Sequence, residues 1–346
     1  MLLQYFQSLE EGITAKLEAE PESASPRKTY ALGLARLGKE LYSGERPVAW
    51  CGVTAPFDLL RAMDVTSCYI EFVGAMLASV GAVAPFLQLA EDAGYGADSC
   101  GYHRAVLGAA RRKMMPVPEF LVATSAPCTA GMAAVEELAR YWNKPLFVLH
   151  VPQTPSQENI AYLAGRIREM VKFAEGVMGR RLDPERLQDT VEKTNLARAA
   201  MAEVFTHARA VPSPVNGKTL KNFAFVQPLL MGGQAAIDVA QAFADDLGDK
   251  VQRGISGVAG EKLRLLWIQN RIQYKHPLID ILEKEHGAAV VIDELNHMFW
   301  DPIDPEDPYT SMAARAISLP LNGPIDTRVE GMKKLAREYR VDGAIN

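Results

Sequence analysis

The chain has 346 residues, of which 48% are hydrophobic and 23% charged, with a formal net charge of −5, a composition that excludes a disordered or fibrous polymer and fits a mildly acidic globular protein. Its length exceeds one ordinary domain and suits two, and the lack of a domain-wide basic surplus disfavours a nucleic-acid binder. The longest apolar stretch, YIEFVGAMLASVGAVAPFLQLA, carries Glu71, two glycines and Pro85, so it reads as buried core and not as a membrane span.

In chain order, residues 1–45 read as a helical lead-in. Within SPRKTYALGLARLGKELYSG, Ser25 suits an N-cap, Pro26 the first helical position and Gly44 the stop. The start, MLLQYFQSLEEG, lacks the basic residues and cleavage pattern of a secretory signal, which leads to the expectation of a cytoplasmic protein. Strand-like runs then recur at VAWCGV, SCYIEF, FLVAT and LFVLHV with helix-like segments between the later ones, which predicts a first α/β domain over 46–153 with a mostly parallel sheet.

Residues 154–212 read as helices connecting two lobes. Thr154 and Gln157 fit a capping box, Pro155 fits the first helical position, and Ile160, Leu163, Ile167 and Val171 mark one apolar face. A second strand and helix series follows over 213–346: FAFVQ, a helix from about Gln234, LRLLWIQN, a helix at PLIDILEKE, AAVVIDEL, and a last helix before DGAI. Ligands of such sheets bind beyond the carboxyl ends of the strands, which for two facing lobes is the cleft.

Four cysteines, Cys51, Cys68, Cys100 and Cys128, without a Cys-x-x-Cys pair, point to reduced thiols and exclude a compact zinc knuckle. Cys128, in ATSAPCTAG, falls where the apolar run FLVAT gives way to TAGMAAVEELARYW, and Cys100, in GADSCGYHRAVLG, follows the capping residues Asp98 and Ser99. Both therefore sit at helix starts, where unpaired N–H groups and the macrodipole favour a thiolate. That setting suits a net-negative iron–sulfur cluster held by thiolates; the alternative is that both are small buried hydrophobes. Cys51 and Cys68 read as packed thiols. His103, three residues after Cys100, is a candidate for contact with a cluster or substrate, the alternative being a hydrogen-bonded core imidazole. DELNHMFW places Glu294, Asn296 and His297 directly after a strand, where cleft residues emerge, against the alternative of a solvated loop. Neither GVAGEK nor LLMGGQAAID completes a nucleotide-binding motif, so no ATP site is expected in this chain.

The cysteine contexts GADSCGYHRAVLG and ATSAPCTAG, followed by NKPLFVLHVP, resemble the 2-hydroxyacyl-CoA dehydratase and benzoyl-CoA reductase family in order and separation. The similarity extends through PFDLLRAMDV and HPLIDILEKEHGAAVVIDELN, and so covers most of the chain. The resemblance implies two Rossmann-like lobes and a subunit that holds a 4Fe-4S cluster, with Cys100 and Cys128 as its first two ligands. It implies also a homologous second subunit, a separate ATP-hydrolysing iron–sulfur activator, a CoA-thioester substrate, and a ketyl radical that leads either to loss of a hydroxyl group or to reduction of an aromatic ring. Glu294 and His103 are the catalytic candidates. The family places a third cysteine after a strand like VDGAI, whereas the sequence stops at Asn346; the expectation is a further C-terminal segment, with an intact mass above 37.9 kDa. An electron relay or scaffold without substrate chemistry and a metal-free two-lobed binding protein are the rival readings.

Overall fold

Runs that are apolar on both faces must be covered on both faces, and parallel sheets provide that cover. In the computed structural model, which describes residues 2–223 and 226–346, the runs of the first half form β1 (Val48–Cys51), β2 (Thr66–Tyr69), β3 (Phe120–Thr124) and β4 (Leu146–Leu149). They make a parallel sheet in the order β2-β1-β3-β4. Ahead of it lie α1 (Leu2–Ala19) and α2 (Pro26–Ser43). The signals expected at the ends of α2 operate: Ser25 accepts from the Lys28 N–H, and Gly44 takes φ 73°, a conformation that favours glycine. Between the strands run α3 (Phe57–Ala62), α4 (Ile70–Ser79), α5 (Ala84–Asp92), α6 (Gly101–Arg111) and α7 (Thr129–Trp142).

Three local expectations are corrected. The run SCYIEF is extended only as far as Tyr69: Tyr69 becomes an extended N-cap, Ile70 opens α4, and Glu71 falls in its first turn, where the helix dipole favours an acid. The next helix, α8 (Gln157–Met178), is capped by Ser156 and not by Thr154. Ser156 Oγ accepts from Asn159 N at 3.2 Å, while the Thr154 carbonyl accepts from Asn159 Nδ2 at 2.9 Å. The strand expected at FAFVQ is absent at its described ends, since Phe223 closes α10 (Gly217–Phe223) and Val226 opens α11 (Val226–Leu230); residues 224 and 225 lie outside the described residues.

Helix α9 (Pro184–Ala208) precedes α10, and α12 (Gln234–Gln252) begins where expected. Then come β5 (Leu263–Trp267), the short α13 (Leu278–Asp280) running into a π-turn over Ile281–Glu285, β6 (Ala288–Asp293), α14 (Pro308–Ile317), α15 (Ile325–Glu338) and β7 (Gly343–Ile345). The second sheet is parallel in the order β6-β5-β7, so the fold is α/β with parallel sheets. Leu265 pairs with Val290 but Leu266 with Ile292, which leaves Val291 as the extra residue of a bulge. Val291 and Ile292 consequently both enter the large core, while Leu265, Trp267 and Val290 belong to a small cluster with Ile279.

Helices α8 and α9 pack broadly against the rest. Phe173 of α8 meets Phe120 and Phe147 of the first sheet with ring centroids 5.8 and 5.5 Å apart. Helix α9 lies on α12 and α3, and α8 on α14. One apolar core thus runs from Tyr30 to Tyr339. Among the described residues no helix is long and apolar enough to cross a membrane.

Candidate functional site

The loops that leave the carboxyl ends of β1, β2, β3, β5 and β6 face one another across a cavity of about 570 Å³. Burial and chain direction put it there: parallel strands deliver all their following loops to one edge. Cys100, Tyr102, His103 and Cys128 enter from the first sheet's side, and Gln269, Asn270, Arg271, Gln273 and Asn296 from the second's.

Both expected thiols are exposed and both are N-caps; Cys100 itself takes the cap position expected of Asp98 or Ser99, without a side-chain cap bond, because α6 starts only at Gly101. Cys128 Sγ accepts from Gly131 N at 3.2 Å. His103 is buried, with Nε2 3.3 Å from Glu71 Oε1. Burial alone would pull its pKa down, but hydrogen bonds to Cys100 and Glu71 outweigh burial and raise it to about 10. The His103 hydrogen bond lowers the Cys100 thiol to about 7, against burial. The two shifts belong to one coupled pair and act in the same direction, each favouring the charged form of its partner. Cys51 and Cys68 are buried and burial raises both thiols, as their strand positions suggested.

Gly131 ties these groups together. A Cβ on it would stand 2.9 Å from Glu71 Oε1, 3.3 Å from His103 Nε2 and 3.6 Å from Cys128 Sγ, so the acid, the imidazole and the second thiol all converge on the first turn of α7. The other carboxylate oxygen, Glu71 Oε2, is buried with no partner.

The thiolate assignment predicts a measurable reactivity. In a Cys128→Ala background, alkylation of Cys100 by iodoacetamide in metal-free buffer is expected to have its midpoint near pH 7, reactive above it and quiet below. His103→Gln is expected to move that midpoint up toward the usual 9.0 and to slow alkylation at neutral pH by roughly tenfold or more. A midpoint that stays in place in the variant would show that no ion pair exists.

Three arginines of the wall are each paired with a buried acid. Arg315 of α14 grips Asp58 at the start of α3 with two bonds of 2.7 Å, and Asp58 also accepts from Thr194 Oγ1 and Leu59 N. Arg271 donates from Nε to Asp293 Oδ2 at 3.0 Å. Asp293 in turn accepts from Leu295 N, Asn296 N and Asn296 Nδ2, which shapes the turn after β6. Arg328 of α15 pairs with Glu294 through Nε and Nη2.

Glu294, a catalytic candidate from the sequence, is 1% exposed, and it stands behind the wall and not on it. Its carboxylate is occupied by Arg328 and by Gln269 N at 2.9 Å, and its neighbours Asp293, Leu295 and Asn296 are the ones that border the cavity. His297 is not on the wall either; its Nδ1 lies 3.0 Å from the Glu294 carbonyl and burial lowers its pKa. Sequence reading missed Asp58, Glu71, Arg271, Asp293, Arg315 and Arg328. Glu71 had a signal, as the lone acid at the head of a long apolar stretch, and Asp58 lay inside the quoted PFDLLRAMDV. The arginines had none, because their partners are distant in sequence.

Among the described residues no group of three or more His, Cys, Asp or Glu side chains forms a metal site. Strand β7 ends on the same edge as the cavity: Ile268 N donates to the Ile345 carbonyl at 2.8 Å, one residue before Gln269.

Comparison with known proteins bears on what this edge does. The chain is 24% identical over 227 residues to the (R)-2-hydroxyisocaproyl-CoA dehydratase alpha subunit of Clostridioides difficile, a match covering 63% of this chain and 56% of that protein. It is 23% identical over 324 residues to the alpha subunit of the lactoyl-CoA dehydratase of Anaerotignum propionicum, covering 86% and 76%. To one subunit of the benzoyl-CoA reductase of Thauera aromatica it is 24% identical over 288 residues, covering 74% and 65%. The chain therefore spans little more than half of the first of these relatives and about two thirds or more of the other two. The model of the family described as 2-hydroxyglutaryl-CoA dehydratase, D-component, matches residues 52–346, from the end of β1 through every loop that borders the cavity, and the chain belongs to that family.

Proposed function

We propose that the chain is a subunit of a cytoplasmic enzyme that acts on a CoA thioester, by 2-hydroxyacyl-CoA dehydration or benzoyl-CoA-type ring reduction. The observation that carries this reading is the convergence of two helix-start thiols and a buried acid–imidazole pair on one cavity, in a chain matched by the family over both sheets. Cys100 and Cys128 would hold a 4Fe-4S cluster. In kind they fit it: both thiols are exposed to the cavity, both stand at positive helix ends, and Cys100 is lowered toward thiolate, which suits a net-negative group. In number they supply two ligands, and among the described residues no group of three or more His, Cys, Asp or Glu side chains forms a metal site.

When bound, the cluster supplies single electrons to the thioester, replenished by a separate ATP-hydrolysing iron–sulfur activator. The residues of this chain do the rest. One-electron reduction of the thioester to a ketyl radical puts negative charge on the carbonyl oxygen, and the side-chain amides of Gln269, Asn270, Gln273 and Asn296 offer donors where that charge grows. Glu71 and His103 hold a proton at His103 Nε2 within the cavity, placed to exchange with a hydroxyl leaving group or a ring carbon. Dehydration by this route is redox-neutral, with the electron returned and water released; ring reduction consumes electrons and protons.

The limited ligand count favours one rival, a relay or scaffold subunit paired with a catalytic homologue. Anaerobic purification with associated subunits, followed by iron and sulfide analysis, tests the cluster; protein without iron would exclude it and leave a metal-free binding protein. Omitting the homologous subunit or the activator from a reconstituted assay is expected to abolish turnover in either case, and turnover by this chain alone would refute the need for them. Binding of a CoA thioester to this chain separates the substrate-handling subunit from the pure relay.

A further inference from the structure

Three arginines border the cavity among the described residues, Arg271, Arg315 and Arg328. Each already faces a carboxylate: Asp293, Asp58 and Glu294 respectively. Among the described residues no lysine borders it. The pair of Asp58 with Arg315 is bidentate at 2.7 Å and almost wholly buried, with side-chain exposures of 1% and 11%. Arg271 Nη2 has no partner, but that atom is itself buried in the wall and presents no surface to an incoming group.

Around Arg315 the wall is apolar. Met312, Ala316 and Leu319 share its helical stripe, at spacings of three or four residues along and just beyond α14, and Ile167 of α8 and Met231 beside Gly232 complete that side. Gly232 packs directly on Asp58, its Cβ position 3.0 Å from the Asp58 Cα. A charged group that entered here would lose its hydration and find each arginine of the wall already paired, and displacing Asp58 from Arg315 would only transfer the unpaired charge to another buried carboxylate.

We propose that this cavity selects a neutral, largely apolar acyl group and rejects one that carries a second carboxylate. The inference rests on the CoA-thioester reading and deepens it. The family's description names 2-hydroxyglutaryl, an acyl group of the rejected kind, so the assignment separates this chain from the substrate for which its family is named. The pairing covers each arginine of the wall among the described residues, and the apolar side around Arg315 is distinct from the side-chain amides of Gln269, Asn270, Gln273 and Asn296 that are assigned to the thioester oxygen.

Titration calorimetry of the full chain with its co-purified subunits, under anaerobic conditions, tests this with pentanoyl-CoA and glutaryl-CoA. The two have equal chain length and differ at the far end by a methyl group against a carboxylate. Pentanoyl-CoA is expected to bind more tightly by at least about tenfold. Glutaryl-CoA binding equally well or better overturns the selectivity and leaves the CoA-thioester reading standing; failure of both to bind overturns that reading and the selectivity with it. Asp58→Asn removes the counter-charge of Arg315 at nearly constant volume, so the preference for pentanoyl-CoA is expected to fall by about tenfold. An unchanged preference in a folded variant overturns the charge-pairing basis, and if the variant does not fold, the two ligands on the unaltered protein decide.

Discussion

Serine at Cys100 or at Cys128 is expected to remove most of the iron bound by this chain in the anaerobically purified assembly and to lower turnover by at least about a hundredfold. Each thiol occupies an N-cap position that opens on the same cavity, and a hydroxyl there keeps the cap at residue 128, and costs none at residue 100 where the thiol makes no cap bond, while losing the soft, readily ionised sulfur that iron prefers. Helix stability should therefore change by less than about 1 kcal/mol, because serine is a good cap. The readouts are iron and sulfide per chain, the visible absorption of the cluster, and the denaturant midpoint. Cys51→Ser and Cys68→Ser provide the contrast: these thiols are buried and raised by burial, so their replacement should disturb packing and leave the iron content alone. Full iron content in both Cys100→Ser and Cys128→Ser would refute the assignment of the two thiols as ligands.

Alanine at Asp58 or at Arg315 is expected to destabilise the chain by about 3–5 kcal/mol, because either change leaves the other charge buried without its partner. The pair joins the start of α3, after the first sheet's β1, to α14, after the second sheet's β6, and Arg315 also lies 5.1 Å from the centre of the Trp300 ring. The double replacement should lose less than the sum of the single ones, with a coupling measurable by urea unfolding. Burial by itself would raise the Asp58 pKa; Arg315 outweighs it through charge and hydrogen bonds, and the net direction is down. A carboxyl depressed in the folded state contributes stability that is fully present above its unfolded value of about 3.9 and is lost as pH falls through the lower folded value. Unfolding free energy should accordingly fall on acidification more steeply in the unaltered protein than in Asp58→Ala. Equal slopes would mean that Asp58 is not held ionised by Arg315.

Local chemistry made part of this molecule readable without coordinates. Ser25, Pro26 and Gly44 bracket α2 because capping and a left-handed stop depend on adjacent residues alone. The parallel sheets were legible because short runs apolar on both faces need cover on both sides. Cys100 and Cys128 were recognisable as helix-start thiols for the same reason: a helix start is a local event, whether it follows a strand, as at Cys128, or another helix, as at Cys100. Even so, Thr154 lost the cap to Ser156, where two hydroxyl-bearing residues compete over two positions and a single hydrogen bond to Asn159 decides. At FAFVQ an apolar, aromatic run suggested a strand, and its described ends belong to helices; periodicity in so short a run does not distinguish the two.

The charges of the site depended on the tertiary structure. Asp58 and Arg315 are 257 positions apart, and nothing near either residue indicates that one will neutralise the other. Glu294 had the position of a cleft residue, directly after a strand, yet Arg328 and the Gln269 amide draw it behind the wall, while Asn296, two residues on, borders the cavity. Glu71, which reads in the sequence as an interruption of a hydrophobic stretch, meets His103 because α4 and α6 pack together. A cap or a turn is determined by groups a few bonds apart, whereas a buried charge is stable only beside whichever counter-charge the packed chain brings to it, and that pairing exists only once both sheets are in place.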